Sequence, residues 1–315
     1  MTKKPFALGM VMDPLDAIKP HKDTSFAMLL EAQRRGWQCH YFTQQDMYLQ
    51  AGEVFARRKI VEVTDRDHDW FRVLDTVDTK LTELDCVLMR KDPPVDADFV
   101  YATHLLQIAA DAGLMVVNNP AALRDCNEKL YAQHFPQCCA PTLVASERAR
   151  LKAFITEQQR AVVKPLDGMG GASIFVLAAD DPNINVSLDT LTLQGQRQIM
   201  AQAYLPAIAK GDKRILLIDG EPIPYALARI PAAGETRGNL AAGGRGEGVA
   251  LSDRDRWICE QVAPDLRQRG LRFVGLDVIG DYLTEINVTS PTCVRELDTI
   301  YGLNIAGTLF DALTN

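Results

Sequence analysis

The chain has 315 residues, enough for roughly two domains or three small ones. With 47% hydrophobic and 24% charged residues its composition is ordinary for a globular protein, which excludes a disordered, collagen-like or disulfide-dense chain. Its 34 basic and 41 acidic side chains leave a net charge of −7, which argues against a nucleic-acid binder, although an anionic substrate would still need a local basic cleft.

In chain order, Phe6–Met12 is a short apolar run that ends at Asp13-Pro14. It lacks the length of a membrane span and the cleavage pattern of a signal peptide, and predicts a buried first strand. Asp23 and Thr24 offer caps to a helix over 25–35, with Phe26, Leu29 and Leu30 at helical spacing and Gly36 at its stop; residues 37–42 return as a strand. A second cycle follows as strand 84–89, helix 97–112 and strand 114–118. Such alternation predicts a parallel sheet flanked by helices. Residues 51–80 fit no single pattern, and a hairpin with a short helix is the expectation there. Pro120 marks a boundary, followed by helical patterns over 121–135 and 147–159. Strands over 161–165 and 173–177 flank a glycine-rich turn. Further strands are predicted over 198–203, 214–218, 222–230, 273–279 and 282–288, with a helix over 252–269 capped by Ser252 and stopped by Gly270. Residues 231–248 hold six glycines in eighteen positions and almost no large apolar side chain, so a mobile loop is expected.

The turn Asp167-Gly168-Met169-Gly170-Gly171-Ala172-Ser173 sits between two β-rich runs. Its glycines allow positive φ and close backbone approach, and consecutive amides there can form a phosphate nest; a plain hairpin loop is the alternative. It is neither a P-loop, which needs Gly-Lys-Ser/Thr, nor a dinucleotide fingerprint, which a helix would follow. Lys164 just before the turn and Lys129 upstream are candidate phosphate partners; each alone is more often a solvated surface lysine, and their spacing around the glycine turn favours phosphate binding.

The most informative stretch is Val274–Val288. Gly280-Asp281 is a turn signal between apolar runs, so a hairpin is predicted. Glu285 and Asn287 are two apart and share a face, with Asp277 on the partner strand in reach of it. Carboxylate and amide oxygens in this grouping suit Mg²⁺, and acidic side chains among Val, Ile and Leu are costly unless paired or ligating; an exposed polar face is the other reading. None of the seven cysteines forms a Cys-x-x-Cys pair, so reduced thiols in a cytoplasmic protein, all serving as packing residues, are the simplest account. The five histidines show no ligand spacing.

These blocks together resemble the ATP-grasp ligases, and more narrowly the bacterial glutathione synthetase family. The resemblance rests on Met89-Arg90-Lys91-Asp92-Pro93-Pro94, Arg124-Asp125-Cys126-Asn127-Glu128-Lys129, the Lys164–Gly171 segment, Glu235–Gly246 and Thr284-Glu285-Ile286-Asn287-Val288-Thr289-Ser290-Pro291-Thr292. It implies an N-terminal parallel-sheet α/β domain (1–122), then a two-part ATP-grasp fold with a central lobe (123–203) and a C-terminal lobe (204–315) carrying a lid at 231–248. The implied reaction joins glycine to γ-glutamylcysteine at the expense of ATP, through an acyl phosphate.

The resemblance also implies roles. Lys129 and Lys164 would contact ATP phosphates beneath the Gly168, Gly170 and Gly171 turn. Gln202, Ala203, Tyr204 and Leu205 would meet the adenine, and Asp212 would sit near the nucleotide. Asp277, Glu285 and Asn287 would hold Mg²⁺ or Mn²⁺. Arg214, Arg229 and the lid's Arg237 would face the reacting phosphate and acyl groups, and Arg245 would add charge on closing. Arg90, at the end of a parallel strand, with Ser25, Ser290 and Thr292, would bind the dipeptide and glycine. A cytoplasmic homotetramer completes the expectation. Rival readings are another ATP-grasp ligase, of the D-alanine–D-alanine or protein-tail type, and a non-catalytic ATP sensor.

Overall fold

The computed structural model describes residues 4–168, 173–232 and 243–314. Three sheets organise it. The first begins with β1 (Ala7–Val11), α1 (Thr24–Arg34) and β2 (Gln38–Phe42) and continues through β3 (Met47–Gln50), β4 (Glu53–Val63), β5 (Phe71–Lys80), β6 (Cys86–Met89), α2 (Ala97–Asp111) and β7 (Met115–Val117). Strands β2, β1, β6 and β7 run parallel, as the strand–helix–strand alternation predicts. Asp23 accepts from the Phe26 amide at 2.7 Å and starts α1. Asp96 does the same for α2 through Phe99 at 2.9 Å.

Residues 51–80 form the expected hairpin, from the two long antiparallel strands β4 and β5, but not the expected short helix; a 3₁₀ turn at Leu81–Glu83 follows β5. β4 alternates buried Val54, Ala56 and Arg58 with exposed neighbours, which is a half-buried strand's pattern. β5 is exposed along most of its length, including its apolar Val73 and Leu74, so its sequence carries no clean buried face to read. The pattern over 121–135 also yields less helix than its periodicity predicts: only α3 (Pro120–Asp125) and a 3₁₀ turn at Tyr131–His134 form. Between them the Asn127 carboxamide oxygen takes the amides of Lys129 and Leu130, both at 3.1 Å, and breaks the helix.

A four-stranded antiparallel sheet follows, built of β8 (Thr142–Ala145), β9 (Arg160–Pro165), β10 (Phe175–Ala178) and β11 (Ile199–Ala203) in the order β10-β9-β11-β8. Helices α4 (Arg148–Gln158) and α5 (Ile184–Leu191) cover it. Leu151, Ile155, Ala161, Val163 and Leu188 form a core of its own. The third sheet has the order β14-β13-β12-β15-β16, from β12 (Asp212–Ile218), β13 (Glu221–Ile230), β14 (Arg245–Ala250), β15 (Phe273–Ile279) and β16 (Tyr282–Asn287). Here α6 (Asp253–Gln268) carries the predicted Ser252 cap as a capping box with Asp255. Helices α7 (Val294–Tyr301) and α8 (Ile305–Thr314) close the chain.

The expected loop 231–248 is shorter than its composition suggests, because Arg245–Ala250 pairs with β13 as an edge strand. The reason is a close approach: a Cβ at Gly248 would lie 2.6 Å from the Tyr301 ring, so only glycine lets the backbone pass. The first and third sheets share buried clusters, as where Ala7, Val87 and Phe99 join Ile215, Val274 and Ile286. Asn118 staples them. Its carboxamide donates to the Phe273 and Val288 carbonyls at 2.8 and 2.7 Å and accepts from the amides of Arg272 and Phe273 at 2.7 and 2.9 Å.

Candidate active site

Strand register assembles the charged centre. Arg214 on β12 stands opposite Asp277 on β15, and Asp277 stands opposite Glu285 on β16. Two residues back on β12, Asp212 pairs with Arg229 on β13. Residues two apart share a face, so all five side chains project from one side of the sheet. Gly275 makes room for them: a Cβ there would lie 2.9 Å from Arg214 Cδ and 3.0 Å from Pro291 Cβ, so glycine lets the arginine lie across the strand. The Arg214 guanidinium grips Asp277 with two bonds, the second at 2.9 Å, and Arg229 Nη2 reaches the same carboxylate at 2.9 Å. Arg229 also binds the Asp212 carboxylate. Asn287 Nδ2 donates to Asp277 Oδ2 at 3.3 Å. The three expected metal-holding residues are therefore gathered on adjacent strands.

Two lysines complete the centre from the other side. Lys164, on β9 of the central sheet, donates to Glu285 Oε1 at 3.3 Å, and Lys129 lies 3.7 Å from the same oxygen. Lys129 also donates to the Gly168 carbonyl at 2.8 Å and to Glu128. The placement of Lys129 follows from backbone, since the Ile286 amide donates to the Glu128 carbonyl at 2.8 Å and ties this segment to β16. Asn127 reaches across to the Leu166 carbonyl at 2.9 Å and anchors the start of the glycine turn. Gly170, Gly171 and Arg237 lie outside the described residues.

The electrostatics follow from burial. Lys129, Lys164, Arg214, Arg229 and Asp277 are each at most 6% exposed. Burial opposes ionisation of Asp277, but Arg214 and Arg229 outweigh it and hold the carboxyl well below the usual range. Glu285 is lowered in the same way, with Lys164 and Lys129 overcoming burial. Asp212 goes the other way: burial pushes it to about 6 against the pull of Arg229, with repulsion from Asp277 and Glu285. Burial and the Glu285 charge likewise raise Glu128. Four cations and four carboxylates, Glu128, Asp212, Asp277 and Glu285, thus face one another in a centre that is nearly neutral.

These groups line a cavity of about 600 Å³ between the central and third sheets. Val162 and Val176, register partners on β9 and β10, face Ile208 and Ile279 across an apolar slot. Gln202, Ala203, Tyr204 and Leu205 run along it. The amides of Ala203 and Tyr204 are already bonded to the Pro141 and Arg160 carbonyls at 2.9 and 3.0 Å. Arg160 also covers the Tyr204 ring at 3.9 Å.

Ser290 and Thr292 line the cavity as well, with Ser290 donating to Asp92. Arg90 and Ser25 are placed differently. Both are buried behind the wall, where Arg90 donates to Ser25 Oγ at 3.1 Å and to the Pro291 carbonyl at 2.9 Å, so the arginine shapes the Ser290–Thr292 segment from beneath. Arg245 is exposed at the start of β14 beside Glu247. Sequence reasoning missed Glu128 and Glu296 as wall residues. The adjacency of Glu128 to Lys129 was the signal for the first, and nothing local marks the second.

The chain matches the model of the prokaryotic glutathione synthetase N-terminal domain over residues 6–124 and that of the prokaryotic glutathione synthetase ATP-grasp domain over residues 128–302. The chain belongs to the prokaryotic glutathione synthetase family. It is 60% identical to the glutathione synthetase of Pseudomonas syringae pv. tomato over 97% of this chain and 96% of that one. It is 54% identical to that of Vibrio cholerae over the same shares. Among solved structures, D-cycloserine synthetase DcsG superposes with a TM-score of 0.69 at 16% identity, covering 98% of this chain and all of that one. The ATP-grasp ligase PsnB, solved with a minimal precursor, Mg and ADP, gives 0.63 at 18% identity, covering 98% of this chain and 96% of that one. At such identities these two establish the shared ATP-grasp fold alone. Family membership makes the chain an ATP-dependent ligase and decides against both rival readings.

Proposed function

We propose that this chain joins glycine to γ-glutamylcysteine with ATP, giving glutathione, ADP and phosphate, and that the buried charged centre performs the chemistry. The observation that carries this reading is the row Arg214–Asp277–Glu285, flanked by Arg229 and by Lys129 and Lys164, at the end of an apolar slot. The slot takes the adenine between Val162 and Val176 on one side and Ile279 on the other, with Gln202–Leu205 along its edge. Lys129, Lys164 and the Gly168–Gly171 turn take the phosphates.

The donor set fits a divalent ion. Asp277 and Glu285 are held ionised on neighbouring strands with the Asn287 carboxamide beside them, and hard cations prefer such oxygens. Because the centre is already close to neutral, a triphosphate entering it brings surplus negative charge, and a divalent ion, Mg²⁺ or Mn²⁺, held by Asp277, Glu285 and Asn287 supplies the missing neutralisation. As the nucleotide enters, Lys129 and Lys164 exchange Glu285 for phosphate oxygens.

Phosphoryl transfer is mostly positioning and charge stabilisation. The cysteinyl carboxylate oxygen attacks the γ-phosphorus, the bond to the β-phosphate oxygen breaks, and ADP leaves an acyl phosphate. Arg214 and Arg229 stabilise charge on the transferring group, and then on the tetrahedral oxyanion formed when the neutral glycine amine attacks the acyl carbon. Collapse expels phosphate, which carries off the proton shed by the nitrogen, and leaves the amide. Arg237 and the 231–248 segment exclude water from the acyl phosphate.

The residue ranges 1–122, 123–203 and 204–315 correspond on this reading to three functional parts, supported by three separate sheets. No helix among the described residues is long and apolar enough to cross a membrane, and all seven cysteines are free, which supports a reducing cytoplasmic setting. Homotetramer assembly is supported by the exposed edge strand β5, where Val73 and Leu74 are uncovered. ADP release measured with both, either or neither of γ-glutamylcysteine and glycine tests the function. Release is expected only when the dipeptide is present, with full turnover requiring glycine; release that ignores both substrates refutes it.

A further inference from the structure

The cavity extends beyond the charged centre to the first sheet's side, where Lys22, just before α1, and Glu296, in the first turn of α7, both line it. Nothing in the reaction described above uses either residue. Glu296 Oε2 is buried and has no hydrogen-bond partner among the described residues. A buried carboxylate oxygen without a donor is costly, and on the wall of a binding cavity such a group is satisfied by what enters. The charges that bear on Glu296 come from Lys22, His21 and Arg295, whereas those that bear on Asp277 come from Arg214 and Arg229. Glu296 is thus flanked mainly by cations other than the two arginines that hold Asp277. Arg295 is engaged elsewhere, with Asp65 at 2.8 Å.

A cationic donor would satisfy this oxygen most strongly. The triphosphate is an anion and occupies the other end of the cavity. The glycine amine must reach the acyl carbon beside Arg214 and Arg229. One cation is left among the reactants, the α-ammonium of the γ-glutamyl residue, which stands next to its own α-carboxylate at the end of the dipeptide away from the reacting carboxylate. An acid and a base on the same stretch of wall, within range of each other's charge, match that zwitterion. Resting on the function proposed above, we infer that Glu296 binds the α-ammonium of the acyl substrate while Lys22 binds its α-carboxylate, so that this pair sets specificity for a γ-linked amino acid.

Two acyl substrates test this: γ-glutamylcysteine and N-glutarylcysteine, which differ only in the α-amino group. Wild-type KM should be on the order of tenfold to a hundredfold higher for the glutaryl compound, as loss of a charge-assisted hydrogen bond implies. Glu296→Gln should raise KM for γ-glutamylcysteine by a similar factor, with kcat nearly unchanged. It should leave KM for N-glutarylcysteine, KM for ATP and the melting temperature as in wild type. Lys22→Met should raise KM for both acyl substrates. Equal wild-type KM values for the two compounds overturn the inference without any variant, and so does a Glu296→Gln effect that is absent or equal on both. ADP release by the wild type that ignores γ-glutamylcysteine overturns the function itself and this inference with it.

Discussion

Replacing Asp277 by asparagine keeps the shape of the side chain and removes the charge that answers both Arg214 and Arg229. The site is 3% exposed, so water cannot take over. Breaking a buried ion pair by removing one partner costs about 3–5 kcal/mol. Unfolding entropy of about 2.1 cal/mol/K per residue scales to about 660 cal/mol/K over this chain, so the melting temperature should fall by about 5–8 °C. Turnover should fall further than stability explains. An anchor for the divalent ion is lost and the arginines are left unaligned, which is worth on the order of 10²–10³ in kcat at saturating ATP and Mg²⁺. Adding Arg214→Leu to Asp277→Asn removes the unanswered charge and should restore part of the melting temperature while leaving the enzyme inactive. Thermal melting and steady-state ADP release separate the two effects. An Asp277→Asn protein that melts within 1–2 °C of wild type and turns over within about threefold would refute the reasoning.

Lys164→Met removes a phosphate partner and should raise KM for ATP on the order of tenfold to a hundredfold, with an unchanged KM for glycine, read by initial-rate kinetics. Asn118→Ala leaves two buried carbonyls and two amides without partners; a loss of about 3–5 kcal/mol and a lower melting temperature are expected, while kcat of the folded protein persists. Glu31 is held down at about 2 chiefly by its bond from Arg34, opposed by burial and helped by Arg35 and Asn304. Between about 2 and 4.5 the unfolded chain binds the proton that the folded chain does not, so this contribution is full above 4.5 and is lost as pH falls towards 2. Melting curves of Glu31→Gln against wild type should therefore differ most near neutral pH and converge on acidification; a gap that widens at low pH contradicts the assignment.

Much of the site was legible because it lies on hairpins. The Gly280-Asp281 turn and the two-residue spacing of Glu285 and Asn287 fix which face those side chains share, and antiparallel register then brings Asp277 opposite Glu285. The parallel strands of the first sheet were legible for a similar reason, since short apolar runs alternate with capped helices. What stayed hidden depends on contacts distant in sequence. β5 buries no regular apolar face, and its bounds are set by the edge that β4 offers it. Arg90 sits at a strand end facing the ligand side, yet it turns inward because Ser25 and the Pro291 carbonyl, 201 residues away, supply acceptors. Glu296 reaches the cavity only once α7 packs beside α1.

Direct phosphorylation of the cysteinyl carboxylate in the buried centre is the step on which catalysis turns. The most direct test supplies γ-glutamylcysteine labelled with ¹⁸O in its cysteinyl carboxylate, together with ATP, glycine and Mg²⁺, and analyses the released inorganic phosphate by mass spectrometry. One labelled oxygen per phosphate is the predicted result. Phosphate that carries none, alongside normal glutathione formation, would contradict it.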